Sequence, residues 1–247
     1  MSQHIYNETF MDYTAASATR SANAIIVLLL QHIPIKSVLD IGCARGAWLA
    51  AWQRAGTTQI TGIDGHYVEK KQLLIPADHF HAHDLSSDFN LGQQYDLVQS
   101  LEVAEHIDFS KADCFVANLV RHANGFLLFS AAPPGQGGEH HVNEQPYDYW
   151  RQKFSTYDYL PFDYLRPQLR NHTEVSPWYR YNTLLYVHKD KIEALPLSIR
   201  CTAVKAGKAI PDISPLWYRA RKLLIQALPQ KTQDKLAVFA AKRNRTK

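Results

Sequence analysis

Glu102-Val-Ala-Glu105-His106 sets two carboxylates and an imidazole at positions i, i+3 and i+4. That spacing places side chains on one face of a helical turn. Hard oxygen ligands converging with one nitrogen suit a Mg²⁺- or Mn²⁺-like ion. The same set equally suits a general base, His106, oriented by a glutamate. A second polar cluster, Gly137-Gly-Glu-His140-His141-Val-Asn-Glu-Gln145, follows further along, with Tyr147 and Trp150 just after it.

A different chemistry is readable upstream. Asp40-Ile-Gly42-Cys-Ala-Arg-Gly46 follows an apolar run and opens a helical pattern. Gly42 and Gly46 let backbone approach a ligand closely, and a helix N-terminus offers free N–H groups. The glycine spacing is GxxxG. Asp64 ends the next apolar run, 22 residues after Gly42. A carboxylate there accepts hydrogen bonds from ribose hydroxyls. Asp84 closes a third run, where an adenine would sit. Acids at successive strand ends line the crevice in which open α/β sheets bind ligands.

These residues need a scaffold of strands and helices. Thr14 to His32 is predicted as a helix that Pro34 stops. Strands are predicted at Ser37–Ile41, Gln59–Ile63, His79–His83, Tyr95–Leu101 and Gly125–Ser130. Helices are predicted at Gly46–Arg54 and Phe109–His122. After a long loop, Ala131 to Gln145, a helix is expected over Pro146–Phe154 and late strands at Tyr159–Leu165 and Thr183–His188. Strands alternating with helices imply βαβ units and a parallel sheet with right-handed crossovers.

At these residues the chain resembles class I S-adenosylmethionine-dependent methyltransferases. The matching segments are VLDIGCARG (38–46), GIDG (62–65), HDLS (83–86), YDLVQSLEVAEHI (95–107) and GFLLFSAAP (125–133). The resemblance implies a Rossmann-like α/β fold: seven strands, mostly parallel, the last antiparallel, with helices on both faces. It implies S-adenosylmethionine as cofactor, held by Asp40, Gly42, Gly46, Asp64, Asp84 and Leu85. Gly42 and its neighbours would lie near the methionine part, Asp64 on the ribose, and Asp84 with Leu85 at the adenine. Ala44 stands where the family often has a third glycine, and Arg45 follows it.

The ExxEH pattern resembles small-RNA 3′-end 2′-O-methyltransferases and ubiquinone-pathway O-methyltransferases. In some of these it holds a metal, and the RNA enzymes place a further metal-binding histidine near the second cluster. His141 or His140 would complete such a site. The implied metal set is Glu102, Glu105, His106 and His141, and the implied catalytic set is His106, Glu105 and His141. The segment GQGGEHHVNEQPYDYW (135–150) is similar to that of bacterial methyltransferases found with polysaccharide-modifying enzymes.

The expected function is therefore O-methylation of a sugar hydroxyl in polysaccharide or glycan biosynthesis. A sugar hydroxyl has a high pKa, so a base or a metal is needed. The aromatic-rich stretch 147–181 would stack on sugar rings, and Arg180 would reach an anionic acceptor. The alternatives are RNA ribose 2′-O-methylation and a non-catalytic scaffold.

Composition bounds the rest. Among 247 residues, 46% are hydrophobic and 20% charged, which excludes wholesale disorder. No apolar run is long enough for a membrane span; the longest is Ala24 to Leu30. The N-terminus lacks a signal-peptide pattern. Three widely spaced cysteines, Cys43, Cys114 and Cys201, are expected as small buried hydrophobes in a reducing cytoplasm.

The charge is asymmetric. Residues 201–247 hold 11 Lys and Arg against 2 Asp and Glu, a net +9; residues 1–200 hold 16 against 21, a net −5. The expected organisation is a helical segment over 1–34, the transferase domain over 35–195 and a basic amphipathic tail over 196–247. Pro215–Leu228 and Lys231–Ala241 are predicted as basic helices, with Arg219 and Lys222 turned away from the apolar face. Residues 211–247 then suit an anionic membrane surface, at the inner face of the membrane. Nucleic acid is a weaker fit because the body is acidic.

Overall fold

A computed structural model describes residues 8–229, 232, 233 and 236. One sheet contains seven strands: β1 (Ser37–Ile41), β2 (Gln59–Asp64), β3 (Phe80–Ala82), β4 (Leu97–Leu101), β5 (Phe126–Ser130), β6 (Tyr159–Phe162) and β7 (Leu184–His188). Their order is β3-β2-β1-β4-β5-β7-β6. Strands β1 to β5 pair in parallel, and β7 runs antiparallel between β5 and β6. The chain winds one way from β1 to β3 and the other way from β4. The carboxyl ends of β1 and β4 therefore flank the switch point, where such sheets take ligands.

Alternation along each strand divides the core in two. Val38, Leu97, Leu128 and Leu185 face α1 (Glu8–Leu30) and α2 (Ala47–Arg54), whose Ile25, Leu29, Leu49 and Trp52 share their cluster. Leu39, Val98, Leu127 and Phe129 face α3 (Ala112–His122) and α4 (Tyr147–Ser155), with Phe115, Leu119, Trp150 and Phe154. Covering on both faces explains why the strands read as nearly continuous apolar runs. Helix α1 thus belongs to the same core as the sheet.

Several boundaries shift for local reasons. The helix expected from Phe109 starts with a 3₁₀ turn, Phe109–Lys111, capped by Asp108, whose Oδ1 accepts from Ser110 N. The strand expected to reach Leu165 stops at Phe162. Asp163 instead pairs with Arg166, fully buried on α5 (Leu165–Leu169), at 2.7 Å. Trp178 to Asn182, just before the last strand in sequence, lie on α6 (Pro177–Asn182).

The chain end is partly helical: α7 (Leu197–Arg200) and α8 (Leu216–Gln226). Ala203 bridges to Phe162, and Ile210, Ser214 and Tyr218 are buried. Lys222, expected on the outer face of α8, points inward, is buried, and pairs with Asp212. The predicted helix Lys231–Ala241 falls mostly outside the described residues, and the basic end 242–247 and residues 1–7 wholly so. The cysteines are free; Cys43 is buried as expected, but Cys201 is exposed.

Candidate active site

The loop after β1 is built from left-handed residues: Gly42 (φ 90°), Ala44 (φ 48°) and Gly46 (φ 82°). Gly42 has a second constraint, because a Cβ there would lie 2.3 Å from Val103 after β4. Ala44 takes a strained conformation in which its N–H donates to Asp64 Oδ2 at 2.6 Å. Asp64 Oδ1 accepts from Gly65 N at 2.7 Å and from the Tyr67 hydroxyl. Burial pushes the Asp64 carboxyl above its usual range, and these three donors oppose it. Asp40, inside β1, is pushed up to about 7 by burial, with Gln99 opposing and the Asp64 charge adding.

Asp84 follows the end of β3 by two residues. It is exposed, and its carboxylate caps its own turn, accepting from Ser86 N at 2.9 Å and Ser87 Oγ at 3.3 Å. A short carboxylate at the start of a loop folds back on local donors in this way. Leu85 beside it is buried.

At the other lip, Glu102 has φ 58° and Val103 is also non-helical. The helical turn therefore begins only at Ala104, as a single 3₁₀ turn, Ala104–His106. This breaks the shared face expected for Glu102 and Glu105. Ser130 holds the Glu102 backbone, its carbonyl accepting from Glu102 N at 3.0 Å and its Oγ at 3.1 Å. The Glu102 carboxylate accepts from Gln136 Nε2 at 2.6 Å and Asn182 Nδ2 at 3.1 Å, and Asn182 Oδ1 accepts from the Tyr147 hydroxyl at 2.9 Å. Burial raises the Glu102 pKa and these amides oppose it.

Glu105, His106 and His141 do converge, with one ligand atom from each within 4.8 Å of the others. Glu102, the fourth residue of the expected set, lies outside that group of three. His140 is exposed, and its carbonyl accepts from His106 Nδ1 at 3.1 Å. His141 Nδ1 meets Glu144 Oε1 at 2.7 Å. Both partners are acceptors, so each Nδ1 carries a proton, and in the neutral ring the lone pair lies on Nε2. Glu105 is 1% exposed, and its Oε2 is buried with no hydrogen-bond partner. Burial first, and then the Glu102 charge, push its pKa well up.

Sequence reasoning missed three residues of this site. Glu144 accepts from Gly135 N at 2.7 Å and Gly137 N at 2.8 Å while orienting His141. Its position three residues after His141 was an available signal. Gln136 and Asn182 had none, being brought to Glu102 only by tertiary folding. Within the aromatic stretch expected to meet sugar rings, Tyr147, Trp150, Phe154 and Tyr181 are core residues, whereas Tyr149, Trp178 and Tyr179 are partly buried and Tyr157 is exposed. Arg180 is used on the carbonyls of Val175 and Thr173.

A family profile described as a methyltransferase domain matches residues 12–170. The chain belongs to this methyltransferase family. Its cofactor is S-adenosylmethionine. No curated protein matches it. Solved structures share its fold. The magnesium protoporphyrin IX methyltransferase of Synechocystis, with bound S-adenosylmethionine, is 19% identical with a TM-score of 0.52, over 70% of this chain and 80% of that one. The methyltransferase domain of a bacterial Hen1 is 18% identical (TM-score 0.53, 70% and 98% covered). The amino pentose methyltransferase CalS10 of Micromonospora echinaspora is 13% identical (TM-score 0.53, 76% and 100% covered).

The residues of this methyltransferase fit both groups. At the end of β2, the buried Asp64 already takes a hydroxyl from Tyr67, the kind of donor a ribose diol offers. Glu105, whose Oε2 has no hydrogen-bond partner, and the two imidazoles make a mixed oxygen and nitrogen set for a divalent ion. Each imidazole has the outer partner on Nδ1 that ligating histidines require.

Proposed function

We propose that this methyltransferase acts on a hydroxyl of a sugar, in the biosynthesis of a polysaccharide or glycan in the cytoplasm. The supporting observation is the Glu105–His106–His141 cluster, gathered around the buried Glu105 just beyond the carboxyl end of β4. A hydroxyl is too weak an acid to react without help, and this cluster supplies either a cation site or a base. A sugar as acceptor is supported by the fold's similarity to CalS10, an amino pentose methyltransferase. The basic end, residues 211–247, is read as attaching the enzyme peripherally to the inner face of an anionic membrane.

In this reading Asp64 accepts the ribose hydroxyls, with Tyr67 giving way. The loop Gly42–Gly46 lies against the methionine part, and Asp84 with Leu85 lies toward the adenine. When bound, S-adenosylmethionine supplies an already activated methyl group. The protein aligns the acceptor oxygen with that methyl and manages one proton. Glu105, His106 and His141 would hold a Mg²⁺- or Mn²⁺-like ion, which lowers the pKa of a nearby hydroxyl. Without an ion, His106 Nε2 takes the proton itself. Glu144 fixes the tautomer of His141 in either case.

Mass spectrometry of glycans and RNA from cells with and without the gene tests the acceptor. A methyl group missing from a glycan sugar is the expected result. A methyl group missing from an RNA ribose, with unchanged glycans, would replace this reading by RNA 2′-O-methylation.

A further inference from the structure

Helix α8 is amphipathic in an inverted sense. Its inward side carries Tyr218 and Lys222, both under one-tenth exposed, with Lys222 paired to Asp212 and Tyr218 against the Tyr181 ring. Its outward side carries Leu216, Trp217, Leu223 and Leu224, which are 76%, 65%, 69% and 71% exposed. With 3.6 residues per turn these four and Ala220 fall within an arc of ~120°. The exposed Arg219 and Arg221 stand at its two edges.

The inward side closes over the catalytic loop. A Cβ on Gly135 would lie 2.1 Å from the Lys222 carbonyl oxygen, and one on Gly137 would lie 2.9 Å from Ile225. Arg221 Nη1 donates to the Gln136 carbonyl at 2.9 Å. A cavity of about 210 Å³ opens between this loop and Gln226, and it reaches His141 and Glu144. Only the thickness of one helix, ~10 Å, separates the apolar arc from the loop that carries His141.

Resting on the membrane-surface reading above, we propose that this arc of α8 is the element that enters an anionic bilayer surface, holding the catalytic loop beside the lipid headgroups. Trp and Leu flanked by Arg is the composition of a helix lying in the interface. Charge favours the same occupant: the chain beyond residue 200 carries +9 and the rest −5, so an anionic surface attracts this end and repels the body. A second copy seated on the arc would instead bring two +9 ends together. The placement fits a sugar acceptor carried on a lipid. Among the described residues no helix is long and apolar enough to cross a membrane, so the contact is peripheral.

The test is co-sedimentation of the full chain, at low salt, with vesicles of phosphatidylglycerol and phosphatidylcholine and with phosphatidylcholine alone. The wild type is compared with Leu216→Ser/Trp217→Ser/Leu223→Ser/Leu224→Ser. All four side chains are exposed, so the unfolding temperature should not change. The expected result is binding to the anionic vesicles that weakens at least tenfold in the variant. Equal binding of both forms would mean attachment by charge alone; α8 is then not the contact, although the membrane reading stands. No binding by the wild type would overturn both. A dimer that the substitutions dissociate, with no vesicle binding, would make the arc a self-association surface. Should the quadruple variant unfold, Trp217→Ser alone should still weaken binding severalfold, and undiminished binding would overturn the proposal.

Discussion

Asp64 and Asp40 sit one strand apart and meet burial in different ways. Asp64 is surrounded by donors: the N–H groups of Ala44 and Gly65 and the hydroxyl of Tyr67. Charge-assisted hydrogen bonds contribute about 1.5–3 kcal/mol each, so Asp64→Ala should weaken S-adenosylmethionine binding at least tenfold. Calorimetry on the folded variant reads this directly, and unchanged affinity would remove Asp64 from the ribose. Asp40 has less compensation, and its pKa lies at about 7 against an ordinary 3.8. Between those values the folded state holds a proton that the unfolded state has released, so stability falls as pH rises and levels off above pH 7. Asp40→Asn has no such loss. Its stability relative to wild type should climb by up to about 1.4 kcal/mol per pH unit across that window. Urea unfolding of the cofactor-free proteins at points between weakly acidic and weakly alkaline pH would show it, and a pH-independent difference would refute it.

The loop after β5 and helix α8 act as one element. Gly135 has φ 80° and lies under the Lys222 carbonyl, whereas Gly92 has φ 70° and nothing within 4 Å of where a Cβ would be. Both alanine variants would carry the strain of a left-handed residue, but only Gly135→Ala also pushes α8 away. It should cost about 1–3 kcal/mol more than Gly92→Ala in thermal or urea unfolding. Equal losses would mean that α8 does not press on the loop. The strands and helices that frame this element were legible in the sequence, because burial on both faces writes itself as apolar runs between helical patterns. Ser37–Ile41 and the Gly42 turn were legible for that reason. The reacting end was only half legible. Glu105, His106 and His141 were readable as residue types, but the positive φ of Glu102 was not. It is imposed by Ser130 and by Gln136 and Asn182, which are distant in sequence. The inward turn of Lys222 was hidden likewise, since its partner Asp212 decides it.

Across the whole molecule, two ends of different charge and one crevice define the enzyme. The proposed cofactor residues come from the β1 and β2 ends and the proposed reacting residues from the β4 and β5 ends, and α8 closes over the latter. Glu144 links these parts, since it accepts from the loop glycines while orienting His141. Loss of such an outer partner usually weakens a metal 10–100-fold, and Glu144→Ala should do so here, as read by Mn²⁺ binding. Wild-type affinity in that variant would show that the contact only shapes the loop. The most direct test of the Glu105–His106–His141 centre is a Mn²⁺ titration of the full chain followed by electron paramagnetic resonance, with His141→Ala alongside and methyl transfer measured before and after chelation. The account predicts one ion per chain, weakened at least tenfold in His141→Ala, and transfer that chelation abolishes and Mg²⁺ or Mn²⁺ restores. No bound ion in the wild type, with transfer unaffected by chelation, would contradict it.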